Sequence, residues 1–534
     1  MKGRVIFVLA FAIYFVSIFG GFVQDDVRVV SGDPEMGKVS ALVSTLIRPY
    51  YYLDGNESSV YRPVTSFSFY LNALISGKGA WGFRLGNVLI YAWVCWLVYR
   101  VMEELENSKT RKLKKEKING MRSLVPSSGY LWNYARDDDS VVWWRDWAFW
   151  GTVLFIVLPI HAEVVNNIVG RAEMLSLAFM LLATLKGMER KWEVCVMYLF
   201  LSMLSKETAM VGVPILLYLI WMANQVEKKE KVGASVFVMM SLVGFFLLRT
   251  VVLGGTGIEN RATTVENPLK FVTTEKRIQN AVGLIPFGVG KIFFPINLSY
   301  DYSYNQIKLV DSWFDWRVIL GVGMATINVL LLTGLPHQVS GGHGGPPLHT
   351  MAGIMGMMLF WGPILITGNI LFPIGTIFGE RLWFWPSLGV VMILFSFTLR
   401  FSGQARGPAP TRRLLEGLII VLVIILYAGR TVVRNFDWLS QERLFLHDAK
   451  YVTGSVMAQS NAAAIYLIGR DLEKAKPVME RASEIYPKYP ELLNNWGLYY
   501  QWIGKKEEAK MKFEECLVER PGSELCMGNL ELLK

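Results

Sequence analysis

The stretch IFVLAFAIYFVSIFGGFVQDD, Ile6 to Asp26, joins an uncharged apolar run to two adjacent carboxylates. From Ile6 to Phe22 it approaches the roughly 20 apolar residues that carry a helix across hydrocarbon. No small-residue cleavage site follows Phe19-Gly20-Gly21-Phe22, so the run reads as a retained anchor and not a signal peptide. Comparable runs recur outward from it, at Phe83 to Tyr99, Trp147 to Pro159, Leu175 to Leu185, Val194 to Leu204, Met210 to Met222 and Val232 to Leu248. Others lie at Val318 to Leu332, Met351 to Ile366, Leu382 to Leu399 and Leu415 to Tyr427. With 52% hydrophobic and 18% charged residues, the 534-residue chain is too apolar for an ordinary soluble enzyme. The fold class read from this pattern is all-α, a polytopic membrane helix bundle of about eleven spans.

A formal net charge of +10 raises the question of nucleic acid, but the basic residues sit beside apolar runs, where they mark the cytoplasmic side. Lys2 and Arg4 precede the first run, and Lys109, Arg111, Lys112, Lys114, Lys115 and Lys117 follow the second. Lys228, Lys229 and Lys231, then Arg406, Arg412 and Arg413, follow later ones. All fall on one side if the N-terminus is cytoplasmic and if Val282 to Pro295, short and broken by Gly and Pro, is re-entrant or interfacial. No nucleic-acid partner is expected. The tail and the Asn-x-Ser sequons at Asn56 and Asn297 then share the far side of the membrane.

Composition divides the chain into an apolar part over 1–430, a polar connector over 431–460 and a helical tail over 461–534. Residues 103–145 are charged and aperiodic, and read as a disordered cytoplasmic insertion; His337 to Pro347, rich in glycine, reads as a second flexible loop. The tail repeats at 34 residues, the period of the tetratricopeptide motif: Asn461 recurs as Asn495, Tyr466 as Tyr500, Ala475 as Ala509, Pro487 as Pro521. Two such helix pairs are few for a free-standing solenoid, so Glu524 to Leu533 is expected to cap them. Cys95 and Cys195 fall in apolar runs, while Cys516 and Cys526 either pair or remain buried thiols.

Charged groups beside membrane spans are costly and therefore candidates for function. Four such groups share the far side with Asp25 and Asp26: His161 with Glu163, Arg171 with Glu173, Lys206 with Glu207, and Glu380 with Arg381. Each alone reads equally well as a solvated loop, a helix cap or an interfacial anchor. Their convergence on one side favours a single site.

The order of these motifs resembles the transmembrane and tetratricopeptide-repeat O-mannosyltransferases, of the multispanning, lipid-sugar-dependent (GT-C-like) glycosyltransferase class. The resemblance rests on FVQDD, YRPVTSFSFYLN (Tyr61 to Asn72), PIHAEVVNNIVGRAE, LSKE, SYDYSYNQI (Ser299 to Ile307), NILFPIGTIFGERLWFWPSLG (Asn369 to Gly389), RNFDW (Arg434 to Trp438) and the repeats. Leu158 stands where the family often has His, the 103–145 insertion is peculiar to this chain, and the repeat array is short.

The resemblance implies transfer of mannose from dolichyl or polyprenyl phosphate to Ser or Thr hydroxyls of a lumenal acceptor protein. In a single inverting displacement the hydroxyl is the nucleophile and one carboxylate base suffices. That base is assigned to Asp25 or Asp26, with Asp25 preferred. Arg171, Lys206 and Arg381 are assigned to the departing phosphate, His161 and Glu163 to sugar or acceptor positioning, and Glu207 and Glu380 to support. Asn461 and Asn495, at one repeat position, are candidates for an acceptor-peptide groove formed by the lumenal α-solenoid. No cofactor and no metal are expected, because a lipid monophosphate carries little charge to neutralise. The implied address is the endoplasmic reticulum membrane with the tail lumenal, or the plasma membrane facing out in a prokaryote. The rival reading is a catalytically silent membrane scaffold whose repeats recruit a lumenal partner.

Overall fold

The computed structural model describes residues 1–51, 60–124, 146–223, 226–255, 262–334, 348–401 and 410–533. Asn56, the 337–347 loop and the 125–145 part of the insertion lie outside the described residues.

Every described element is helical. In chain order they are α1 (Lys2–Tyr14), α2 (Pro63–Ser76), α3 (Ala80–Leu124), α4 (Trp147–Val157), α5 (Arg171–Met188) and α6 (Trp192–Ser205). Then follow α7 (Gly212–Met222), α8 (Lys228–Leu253), α9 (Thr274–Phe293), α10 (Trp316–Gly334), α11 (Leu348–Thr367), α12 (Phe384–Phe401) and α13 (Pro410–Asp437). The tail comprises α14 (Gln441–Asp448), α15 (Val456–Ile468), α16 (Leu472–Ile485), α17 (Pro490–Trp502), α18 (Lys506–Glu519) and α19 (Glu524–Glu531).

Among the described residues seven helices are long and apolar enough to cross a membrane, or eight if the pair Trp147–Val157 and Pro159–Asn166, bent by 53°, is one span. The other three apolar runs form the shorter helices Trp192–Ser205, Glu207–Met222 and Trp316–Leu330. The bend falls at Leu158-Pro159, where proline cannot donate to the helix. Its orphaned carbonyls are met from outside: Tyr91 donates to Ile156 O at 3.0 Å and Thr431 to Val157 O at 2.7 Å.

Burial sorts the helices into centre and rim. The Ile168–Met188 span is 83% buried, while Lys228–Leu253 and Gly417–Asp437 are each 11% buried. Close packing depends on missing side chains: a Cβ on Gly389 would stand 2.5 Å from Phe360 N, and one on Gly356 2.9 Å from Gly389 O, which lets α11 and α12 approach backbone to backbone.

Two expectations change. The helix of the second span continues through the 103–124 part of the expected disordered insertion, as α3 to Leu124; a run of Lys, Arg and Glu has high helix propensity even without an apolar stripe. Val282 to Pro295 lies mostly within one continuous helix, α9, despite Pro286, and α9 is not among the helices long and apolar enough to cross a membrane. Its polar residues are anchored instead of broken out: Arg277 donates to Asn369 O and Ile370 O, and Asn280 pairs with both the N–H and the C=O of Val310. The connector is also shorter than composition suggests, since α13 carries on to Asp437 and α15 begins at Val456.

The tail forms two helix pairs and a closing helix. Ser455, Asp471 and Ser523 cap α15, α16 and α19 by accepting backbone N–H groups. Gly497 has to be small, because a Cβ there would sit 2.3 Å from the Phe513 ring. Cys516 and Cys526 form a disulfide joining α18 to α19.

Candidate active site

The loops that end the spans nearest the tail meet at one end of the bundle. The Gly20-Gly21 turn is clamped by a residue the sequence reading passed over: Arg84 donates to Gly21 O (2.9 Å), Ser17 O (3.3 Å) and Trp438 O (2.9 Å). A Cβ on Gly20 would strike this guanidinium at 2.5 Å, which explains the small residue there.

The clamp separates the two acidic neighbours. Asp26 is fully buried and accepts Val23 N and Val169 N, each at 3.2 Å. Burial raises its pKa to about 7 against the opposing pull of Arg84. Asp25 remains 40% exposed, with its carboxylate 3.9 Å from Arg381 Nη1. Arg381 in turn is held by Glu163, which is 2% exposed: one carboxylate oxygen accepts Arg381 N at 2.9 Å and the other lies 3.3 Å from Nη1. Asp25, Arg381 and Glu163 thus form one cluster, with Asp25 at its open end.

The other expected residues are brought near but are committed elsewhere. His161 is buried with both ring nitrogens engaged, Nδ1 by Tyr91 at 3.0 Å and Nε2 by Ser387 at 2.7 Å, so it pins the bent fourth helix to α3 and α12. Arg171, 1% exposed, donates to Asn87, Ser68 O, Asn72 and Phe83 O and stacks over Phe69, tying α5 to α2 and α3. Lys206 is 6% exposed and bonded to the Glu173 carboxylate. Glu380 accepts Ser299 N at 2.7 Å and the Tyr302 hydroxyl at 2.5 Å.

Glu207 holds a second residue missing from the sequence reading, Arg62, by a two-pronged contact of 3.0 and 2.6 Å. Arg62 lies over the Tyr50 ring at 5.3 Å. The fields of Asp25, Arg62, Arg381 and Arg28 all reach the Tyr51 phenol, whose pKa is pushed up to about 12, by burial first and by Asp25 second. The signal available in the sequence was Arg62-Pro63, a cation held at the first turn of a helix by a proline that fixes the approach.

The tail is bolted to this end of the bundle. Arg434, fully buried, makes a two-pronged pair with Asp448 at 2.6 and 2.9 Å, and Asp448 also accepts Tyr300 N. Asn461 donates to the Tyr300 hydroxyl at 2.9 Å, and Asp301 accepts from Ser303 and Ser455. Asn495 bonds Ser460 within the tail. Both repeat asparagines therefore bond inside the chain: Asn461 holds the 299–306 segment, and Asn495 holds its neighbouring repeat.

Comparison with known proteins points one way. The family model described as Protein O-mannosyl-transferase TMTC, DUF1736 matches residues 260–329. Caenorhabditis elegans protein O-mannosyl-transferase F38B6.6 is 23% identical over 465 residues, covering 86% of this chain and 58% of its own length. Human protein O-mannosyl-transferase TMTC3 is 23% identical over 535 residues, 94% of this chain and 53% of the relative. Drosophila melanogaster protein O-mannosyl-transferase Tmtc1 is 24% identical, over 82% of this chain and 56% of the relative. The chain spans between about half and three fifths of the length of these relatives. No solved structure matches.

Proposed function

We propose that this chain, which belongs to the transmembrane and tetratricopeptide-repeat (TMTC) family of protein O-mannosyl-transferases, transfers mannose from dolichyl or polyprenyl phosphate to Ser or Thr hydroxyls of an acceptor protein. Asp25 takes the hydroxyl proton as the new oxygen–carbon bond forms at the anomeric centre. The bond from that carbon to the phosphate oxygen breaks with its electron pair, and configuration inverts. Arg381, one-third exposed beside Asp25, stabilises the charge that collects on the departing phosphate. Arg381 stands alone in that role, because Arg171 and Lys206 are saturated by the protein itself and Arg62 is committed to Glu207. Glu163 orients Arg381, and His161 fixes the bent helix that carries Glu163. In this reading a monophosphate leaving group beside Arg381 is served without a metal. The address that follows is the endoplasmic reticulum membrane with the tail in the lumen. The acceptor approaches beneath the tail, in contact with its helix pairs.

The observation that carries this reading is the division of labour between neighbours: Asp25 is open and beside a cation, while Asp26 is buried on two backbone N–H groups. The test is reconstituted transfer from a mannosyl phosphate polyprenol to a Ser/Thr peptide, read by the mass of the product. Asp25→Asn is expected to lower turnover by about 10²- to 10⁴-fold with the thermal midpoint unchanged. Turnover within about threefold of the parent chain removes Asp25 as the base. If the parent chain transfers nothing yet binds a lumenal protein, the scaffold reading replaces this one.

A further inference from the structure

The segment between α1 and α2 carries apolar residues on both of its sides. Its two short turns, Val39–Leu42 and Ser44–Leu46, send Ala41 and Thr45 inward, where both are buried. Ala41 joins a core with Val30, Met36, Phe69, Tyr70 and Ala73. On the outer side Val39, Val43 and Ile47 are 71%, 70% and 74% exposed, and Leu46 is exposed with them. The chain stays helical through Val43 (φ −70°, ψ −35°), so the spacing i, i+4, i+7, i+8 sets these four on one stripe. A segment packed by its small residues, with its large aliphatic ones turned outward, is the reverse of what water selects.

The fold holds the segment in that attitude. Tyr61 donates to Leu46 O at 2.7 Å, and Arg48 closes the far end on Asp33 (3.6 Å), Glu35 (3.3 Å) and the Tyr70 hydroxyl. The near end abuts the start of a span. Lys78, in the Gly77-Lys78-Gly79 turn between α2 and α3, lies 3.5 and 3.4 Å from Asp33 O and Pro34 O, and a Cβ on Gly37 would stand 3.6 Å from that of Ala73. On one side of this turn α2 ends with Leu71, Leu74 and Ile75 exposed; on the other the Ala80–Asn107 span opens with Trp81 exposed. Tryptophan at the mouth of a span marks the level of the lipid headgroups. The outward stripe therefore adjoins a surface that already meets lipid.

We propose that the outer stripe of the 39–47 segment lies in the lipid leaflet at the tail end of the bundle, an interfacial anchor whose partner is the bilayer. Between Lys38 and Arg48 the segment has no charged residue, and these two cations stand at its ends, where an interfacial helix meets headgroups. Three residues beyond Ile47 the chain delivers Tyr50, whose ring lies 5.3 Å from the Arg62 guanidinium and in the field of Asp25. The anchor thus sets the level of the Asp25 cluster against the membrane.

The full chain in nanodiscs, spin-labelled singly at Val43→Cys or at Ile47→Cys, tests the seat. The nitroxide is relaxed by oxygen, which concentrates in hydrocarbon, and by a nickel chelate, which stays in water. Both positions are exposed, so the label displaces no core residue, and the parent chain corrects for any reaction at the buried Cys95 and Cys195. The expected result is relaxation dominated by oxygen, placing both nitroxides about 5–10 Å inside the headgroup boundary. Val236→Cys, at an exposed position of the 11% buried α8, supplies the lipid reference, and Lys488→Cys, exposed in the tail, the water reference. A nickel-dominated signal at either position, matching Lys488→Cys, means that the stripe faces water and overturns the proposal. Exclusion of both reagents at either position means that a second copy of this chain covers it, and overturns the proposal as well. No sugar moves in this measurement, so its failure leaves the Asp25 chemistry standing.

Discussion

Two charged clusters lie at the same end of the bundle and are built on opposite terms. At the tail mount, Arg434 and Asp448 are both fully buried, paired at 2.6 and 2.9 Å, and Asp448 takes a further N–H from Tyr300. In the Asp25 cluster, Arg381 is 34% exposed, Asp25 is 40% exposed, and the two stand 3.9 Å apart, beyond hydrogen-bond length. The mount has spent its charge on itself. The Asp25 cluster keeps a carboxylate and a guanidinium partly open and close together, with neither satisfied by the other. Saturation, more than the presence of charge, separates architecture from chemistry here.

The largest effect that can break this contrast comes from the mount. Arg434→Met leaves the Asp448 carboxylate buried beside an apolar chain and is expected to cost about 3–5 kcal/mol, read as a fall in the denaturation midpoint in detergent and as new protease cleavage between α13 and α15. Arg434→Met with Asp448→Leu removes both charges and is expected to recover most of the loss. A double variant as unstable as the single one makes the Tyr300 contact, and not the ion pair, the main fastening. If Arg434→Met leaves stability intact but abolishes transfer, the mount belongs to the catalytic cluster and the contrast collapses.

Much of the bundle was legible because apolar runs report spans directly, and the tail because Tyr466, Ala475 and Pro487 recur 34 residues on as Tyr500, Ala509 and Pro521. The Asp25–Glu163–Arg381 cluster was legible in part: each residue sits where an apolar run stops, and charge there is rarely idle. Arg171 looked the same in sequence and turned out to be a brace, because its partners are mostly main-chain carbonyls and asparagines whose spacing along the chain, from Ser68 to Asn87, carries no pattern. Arg62 was missed for the complementary reason: it is far in sequence from Glu207, and only the fold closes that distance.

Arg171→Lys sharpens the distinction at a smaller scale. Lysine keeps the charge but cannot reproduce a planar fork that reaches α2 and α3 together. The expected outcome is about 1–3 kcal/mol less stability with the donor KM unchanged in the folded fraction. A raised donor KM at unaltered stability restores Arg171 as a phosphate contact.

The last effect concerns Asp26, and its sign is the informative part. Its pKa in the folded chain is raised from 3.8 to about 7, chiefly by burial, so the folded state holds a proton that the unfolded chain has already released. Below pH 3.8 both states are protonated and Asp26 contributes its full stabilising share; as pH climbs toward about 7 that share is lost, and above it the curve flattens. The slope is at most about 1.4 kcal/mol per pH unit. Asp26→Asn removes the proton exchange while keeping the shape, at the cost of one acceptor for Val23 or Val169. Comparing the pH profiles of stability for parent and variant between pH 4 and 7 is expected to show the parent falling and the variant flatter, with turnover in both still governed by Asp25. A parent profile that rises over that interval means Asp26 is held ionised, which moves the boundary between brace and base one residue along the chain.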